Sequence, residues 1–130
     1  MGDTILHHAC KNGSITLVKL VIRNGCDINV RNDYRSTPIF HACEKGNIEV
    51  VNILLENGAD INAQDKDGWT PLHVACSLGN MELVKLLLRK GSDMTIKDDD
   101  GYMAIYYSGR NDHLELTKYL VCLYVRIWGS

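Results

Sequence analysis

The chain has 130 residues, 45% of them hydrophobic and 23% charged, with a formal net charge of −2. That length suits one domain of ordinary soluble composition. The charge balance argues against a general nucleic-acid or anionic-membrane binder, which carries a basic stripe. The apolar runs fall far short of the roughly 18 residues a membrane span needs.

Cys10, Cys26, Cys43, Cys76 and Cys122 are odd in number and show no paired C-x-x-C spacing. Reduced thiols in an intracellular protein are the simpler reading. The opening Met1-Gly2-Asp3-Thr4 lacks a basic region followed by an apolar one. A cytoplasmic address is therefore expected, although export by a route without such a leader would read the same.

One period organises the chain. Thr4, Thr37 and Thr70 are 33 residues apart, with Met103 at the next step. Ala9, Ala42, Ala75 and Ser108 keep the same spacing, as do Gly13, Gly46 and Gly79, with Asp112 breaking that last series. Gly25, Gly58 and Gly91 are each followed two residues on by an aspartate: Asp27, Asp60 and Asp93. Such columns imply repeated supersecondary units, with boundaries near 2–31, 32–64, 65–97 and 98–126 and a tail at 127–130.

In chain order, a first helix is expected from Thr4 to Gly13 and a second from Ser14 to Asn24-Gly25. In the second and third units, Thr37-Pro38 and Thr70-Pro71 place proline at the first helical position, where its missing N–H is harmless. Gly46 and Gly79 stop those helices. Asn47 and Asn80 cap the next ones, with Glu49 and Glu82 in the favourable first turn. Ile48, Val51, Leu54 and Leu55, then Met81, Val84, Leu87 and Leu88, keep helical spacing. Asn57-Gly58 and Lys90-Gly91 end them with a left-handed glycine, and polar turns such as Asp65-Lys66-Asp67-Gly68 connect the units.

A second apolar set, Val50 and Ile53 or Leu83 and Leu86, gives these helices two faces to bury. One helix pair cannot cover both, so the units must stack into a solenoid. The fourth unit is degenerate: Met103, Ala104, Tyr106 and Ser108 replace the residues typical of the others. Leu116 and Tyr119 stand in columns expected to face a following repeat. The Leu123–Trp128 segment is expected to fold over the last helices as an improvised cap; the alternatives are a piece of a longer protein and self-association through that apolar end. Arg35 stands where Gly68 and Gly101 are in register, which predicts strain or a different turn there.

Thr70-Pro71-Leu72-His73-Val74-Ala75 resembles the T-P-L-H-x-A hallmark of ankyrin repeats. Thr4-Ile5-Leu6-His7-His8-Ala9 is a near match, Thr37-Pro38-Ile39-Phe40-His41-Ala42 carries Phe at the His column, and Gly58-Ala59-Asp60-Ile61-Asn62 is similar to the family's G-A-D-[VI]-N segment. The resemblance covers residues 2 to about 126. It implies an all-α ankyrin-repeat solenoid of stacked helix-turn-helix pairs with protruding turns, in which His7 and His73 pin neighbouring turns. It also implies a protein–protein interaction module without a catalytic site, acting through its turn tips and concave first-helix face. The other readings are a targeting or regulatory part of a larger enzyme or channel and a self-associating structural unit.

Mapped onto this chain, those surfaces make Tyr34, Ser36, Glu44, Lys45, Lys66, Asp67, Trp69, Ser77, Leu78, Asp99, Asp100, Tyr102, Arg110 and Asn111 the candidate partner-binding residues. Trp69 and Tyr102 occupy equivalent turn positions and are the expected hot spot, since Trp and Tyr are frequent interface anchors. Asp98-Asp99-Asp100 makes that edge acidic, with the leading Asp assigned to the turn itself.

No cofactor or metal is expected. His8/Cys10 and His41/Cys43 point about 200° apart on a helix, and Cys10, Cys43 and Cys76 recur on stacked helices roughly 10 Å apart. That separation is too wide for shared zinc or a disulfide. No phosphate-binding glycine motif is present. The partner is expected to be a protein, with no nucleic acid or membrane involved and the chain itself a monomer.

Overall fold

The computed structural model describes residues 2–129. Eight helices follow in chain order: α1 (Ile5–Asn12), α2 (Ile15–Arg23), α3 (Pro38–Glu44), α4 (Ile48–Glu56), α5 (Pro71–Leu78), α6 (Met81–Arg89), α7 (Ala104–Arg110) and α8 (Leu114–Trp128). They pair as α1–α2, α3–α4, α5–α6 and α7–α8, and each inner helix α1, α3, α5 packs on the next. The outer helices stack in the same order, α2 on α4 and α4 on α6.

The helix starts obey the local chemistry. Ser14, Asn47 and Asn80 each accept a backbone N–H of the first turn. Gly13, Gly46 and Gly79 take left-handed angles, and each also lies against the next unit's N-cap. A Cβ on Gly79 would fall 2.4 Å from the His113 ring. Asp112 adopts the same left-handed geometry, with φ 63°. So the break in the glycine column changes the residue and not the turn.

The core is a column of small and branched side chains from every unit. Leu6, Ile39 and Leu72 on the inner helices and Leu54, Leu87 and Leu120 on the outer ones are all essentially sealed from solvent. Burying each is worth about 2 kcal/mol. Cys10, Cys43 and Cys76 sit fully buried in it, and burial pushes the Cys10 and Cys76 thiols up to about 12. They act as small apolar fillers.

Three turns project as fingers, at 32–36, 65–69 and 98–102, named here fingers 2, 3 and 4 after their units. Each is closed by its leading residue. The side-chain oxygens of Asn32, Asp65 and Asp98 each accept two backbone N–H groups within the turn. Neighbouring fingers are tied by Lys66 N donating to Tyr34 O and Asp99 N donating to Asp67 O.

Of the two readings of Arg35, strain and not a different turn is what occurs: it takes φ 60° and donates its N–H to Asn32 O, as Gly68 does to Asp65 and Gly101 to Asp98. Two expectations fail. Leu116 and Tyr119 face backward rather than forward. Leu116 is 2% exposed, and Tyr119 lies under Lys85 of the preceding unit. Leu20, which shares Tyr119's column in the first unit, is exposed because nothing precedes it in the stack. The forward face carries Leu114 and Val121 instead, both exposed, whereas their counterparts Met81 and Leu88 are partly covered. Finally, the last segment does not fold over that face. Helix α8 runs on past the expected boundary to Trp128, with the Tyr124 ring tilted against Trp128 while Val125 and Ile127 remain exposed.

Candidate partner-binding surface

The concave side is built by the inner helices on one wall and the fingers on the other. Between α1, α3 and α5 and fingers 2 and 3 lies a groove of about 570 Å³. Its floor is apolar: Phe40 and Val74 are buried beneath it and Trp69 is half-buried at its side. Lys11, Glu44, Lys45, Ser77 and Leu78 line its helix side, and Ser36, His41 and Asp65 complete it. Leu78 is the conspicuous edge, an apolar side chain 52% exposed at the end of α5.

Two histidines fix the finger wall. Thr4 N donates to His7 Nδ1 while His7 N donates to Thr4 Oγ1, a reciprocal cap that leaves Nε2–H free to donate to Ser36 O at 2.8 Å. His73 repeats this with Thr70, and its Nε2–H reaches Tyr102 O at 2.9 Å. Both rings are buried, and burial holds both below the ordinary histidine value. The pinning role implied by the hallmark is thus made by neutral imidazoles.

Phe40 stands in the same column and does neither job. Thr37 caps α3 without a side-chain bond, and its buried Oγ1 finds no partner. Finger 3 therefore lacks the histidine link that fingers 2 and 4 have. Where a polar ring would stand, the groove has a hydrocarbon floor.

Beside it, Asp3, His7 and His41 bring ligand atoms within 4.8 Å of one another. Asp3 and His7 are already engaged, whereas His41 Nε2 is buried without a hydrogen-bond partner. Asp3 accepts from Asn32 Nδ2 and pairs with Lys11 at 3.6 Å, and the Asn32 bond helps hold its carboxyl down at about 2. Both His7 nitrogens are taken as described. His41 lies between two carboxylates, Nε2 3.4 Å from Asp3 and Nδ1 3.2 Å from Glu44, whose pKa the His41 bond lowers. Coordination through His7 would dismantle the cap that starts α1, which argues against a metal centre at this cluster.

The fourth unit carries an aromatic cluster. Trp69 packs 4.7 Å from Tyr107 and 5.8 Å from His73. The Tyr107 hydroxyl donates to Asp98 Oδ2; burial first and that bond second push the phenol up to about 12. Tyr102 and Tyr106 lie face to face, 3.8 Å apart and 8° from parallel, each 40% exposed.

The expected site residues therefore divide. Ser36, Glu44, Lys45, Trp69, Ser77 and Leu78 meet at the groove. Tyr34, Lys66, Asp67, Asp99, Asp100 and Tyr102 lie along the finger edge outside its lining, with Lys66 over the Tyr34 ring at 5.1 Å. Arg110 and Asn111 are exposed on the last inner helix, and the Asn111 amide is spent on Ser77. Trp69 is a packing residue, half-buried against His73 and Tyr107. Phe40, His41 and Val74 also line the groove and Tyr106 stacks on Tyr102, although none of the four is among the expected residues. Phe40 and Tyr106 share the histidine column, and an aromatic there was the available signal.

A family model described as ankyrin repeats (3 copies) matches residues 1–65 and 62–128. The chain belongs to the ankyrin-repeat family. It is an all-α helical repeat protein, and the ankyrin fold is a non-catalytic interaction module. No curated protein matches the chain. Among the described residues, no helix is long and apolar enough to cross a membrane.

Proposed function

We propose that this ankyrin-repeat chain recognises a protein segment on its concave side, seating one bulky apolar side chain of that segment in the groove between α3, α5 and finger 3. The observation that carries this reading is the preformed apolar floor of Phe40, Val74 and Trp69 beside the exposed Leu78. A soluble domain gains nothing in stability from leaving such a surface open, and burying a large side chain on it is worth roughly 2 kcal/mol. A rigid stack also loses little conformational freedom on binding.

The test is a random-peptide display selection on the folded domain, followed by affinity measurements on Leu78→Glu. Leu78 is exposed, so its replacement leaves the core intact. Enriched peptides are expected to carry a bulky apolar residue and to bind this variant at least tenfold more weakly. Equal affinity for both proteins would remove the groove from consideration and leave the finger tips or the α8 end.

A further inference from the structure

The stacked Tyr102–Tyr106 pair has no role in the fold comparable to its neighbour's. Tyr107 enters the core and holds Asp98, whereas Tyr102 and Tyr106 present two parallel rings to solvent from finger 4 and α7. Asp100 lies in the same turn as Tyr102, with Asp67 and Asp99 on the adjoining edge. None of these three carboxylates forms an ion pair among the described residues. The chain elsewhere covers tyrosine faces with its own cations, Lys66 over the exposed Tyr34 and Lys85 over the half-buried Tyr119, each at 5.1 Å. No described cation lies over Tyr102 or Tyr106.

We infer that this patch takes a basic side chain, arginine or lysine, from the same partner segment whose apolar residue fills the groove; the inference rests on that reading. Two physical arguments select a cation. The faces of aromatic rings attract cations, and a guanidinium also stacks flat on them. An apolar occupant would instead strip water from Asp99 and Asp100 without supplying a counter-charge, which is unfavourable.

The spacing follows from the ring chain. Trp69 at the groove is separated from Tyr106 by two ring contacts through Tyr107, of 4.7 and 5.1 Å. An extended segment advances about 3.3 Å per residue, so the basic residue stands about two to four positions from the apolar one. Because finger 4 follows finger 3 in the stack, the basic residue lies on the side of the last unit.

The experiment uses the peptides enriched on the wild-type domain. They are expected to share an arginine or lysine two to four positions from the bulky apolar residue. Replacing that arginine by citrulline, or that lysine by norleucine, is expected to lower affinity about tenfold. Tyr106→Ala and, independently, Asp99→Asn/Asp100→Asn in the protein should do the same, with circular dichroism confirming the fold. The loss on citrulline substitution should shrink to under twofold on Tyr106→Ala, showing that the two groups meet. Peptides that depend on Leu78 but carry no basic residue at that spacing, or that bind Tyr106→Ala as well as wild type, would overturn this inference and leave the groove standing. Peptides indifferent to Leu78→Glu would overturn the groove reading and this inference together, as would a selection that enriches nothing.

Discussion

The first and third units share a device that the second and fourth lack. In units one and three a threonine and a histidine cap each other, and the histidine's far nitrogen crosses to the next finger. In units two and four the column holds Phe40 and Tyr106, and neither N-cap makes a side-chain bond. The fold is the same in both. What differs is whether the position is spent on anchoring a turn, or instead floors the groove as buried Phe40 does and meets solvent as Tyr106 does. Fingers 2 and 4 are tied down, and the groove and the exposed tyrosine pair arise in the two units freed from that duty.

The strongest way to break this comparison is to turn unit three into unit two. His73→Phe keeps a ring of similar size but leaves Thr70 N and Tyr102 O without their partner. Unpaired buried groups of this kind are worth about 1–3 kcal/mol each, so a loss of about 3 kcal/mol is expected in urea denaturation. Amide exchange in finger 4 should quicken as well. A loss below about 1 kcal/mol would mean that stacking of finger on finger, and not the histidine, holds the wall.

Acid provides a milder version of the same test. Burial holds His7 and His73 below the ordinary histidine value, so both are neutral in the folded state. Below about pH 6.5 the unfolded chain binds protons there that the folded chain refuses, and stability falls as pH falls. The mechanism is local: a protonated Nδ1 can no longer accept the threonine N–H. The carboxylates that the fold holds down, Asp3, Glu44, Asp93 and Asp98, act mainly below about pH 4.5. Asp65, whose carboxyl burial pushes up, opposes the histidines as pH falls, so the difference between the wild type and His73→Phe is what reports the imidazole. The urea midpoint is expected to be lower at pH 5, and His73→Phe should show a shallower dependence. A dependence as steep in His73→Phe as in the wild type would contradict the burial of the His73 ring.

How much of this was legible is itself uneven. The 33-residue period, Thr-Pro starts and glycine stops fixed the helix pairs, because each depends only on local backbone chemistry. The direction of a face did not follow from them. Periodicity shows that Leu116 and Leu114 lie on different sides of a helix, but not which side meets the earlier repeat. The groove was legible only in part. Phe40 could be read as a departure from the hallmark, yet the space beside it depends on Trp69 turning toward Tyr107, a contact between units that no single repeat encodes. The tail was misjudged because a helix with apolar residues on several sides reads equally well as a cap or as a simple extension.

The smallest expected effect concerns finger 2, where the sequence and the backbone disagree most openly. Arg35 occupies the left-handed region at φ 60°, beside Gly68 at 80° and Gly101 at 85° in the equivalent turns. That conformation costs a non-glycine residue about 1–2 kcal/mol. Glycine avoids that cost but gives back part of the gain, roughly 0.5–1 kcal/mol, because its unfolded chain has more conformational entropy to lose. The bonds at this position use only the Arg35 backbone, its N–H to Asn32 O and its carbonyl accepting from Arg31, and glycine keeps both. Arg35→Gly is therefore expected to stabilise the chain by about 0.5–1 kcal/mol in urea denaturation. Asp112→Gly, at φ 63°, should gain less, because aspartate enters this region more readily. If Arg35→Gly instead destabilised the chain, the arginine side chain would have to hold finger 2 in place, and the contrast between pinned and unpinned fingers would need a second anchor besides histidine.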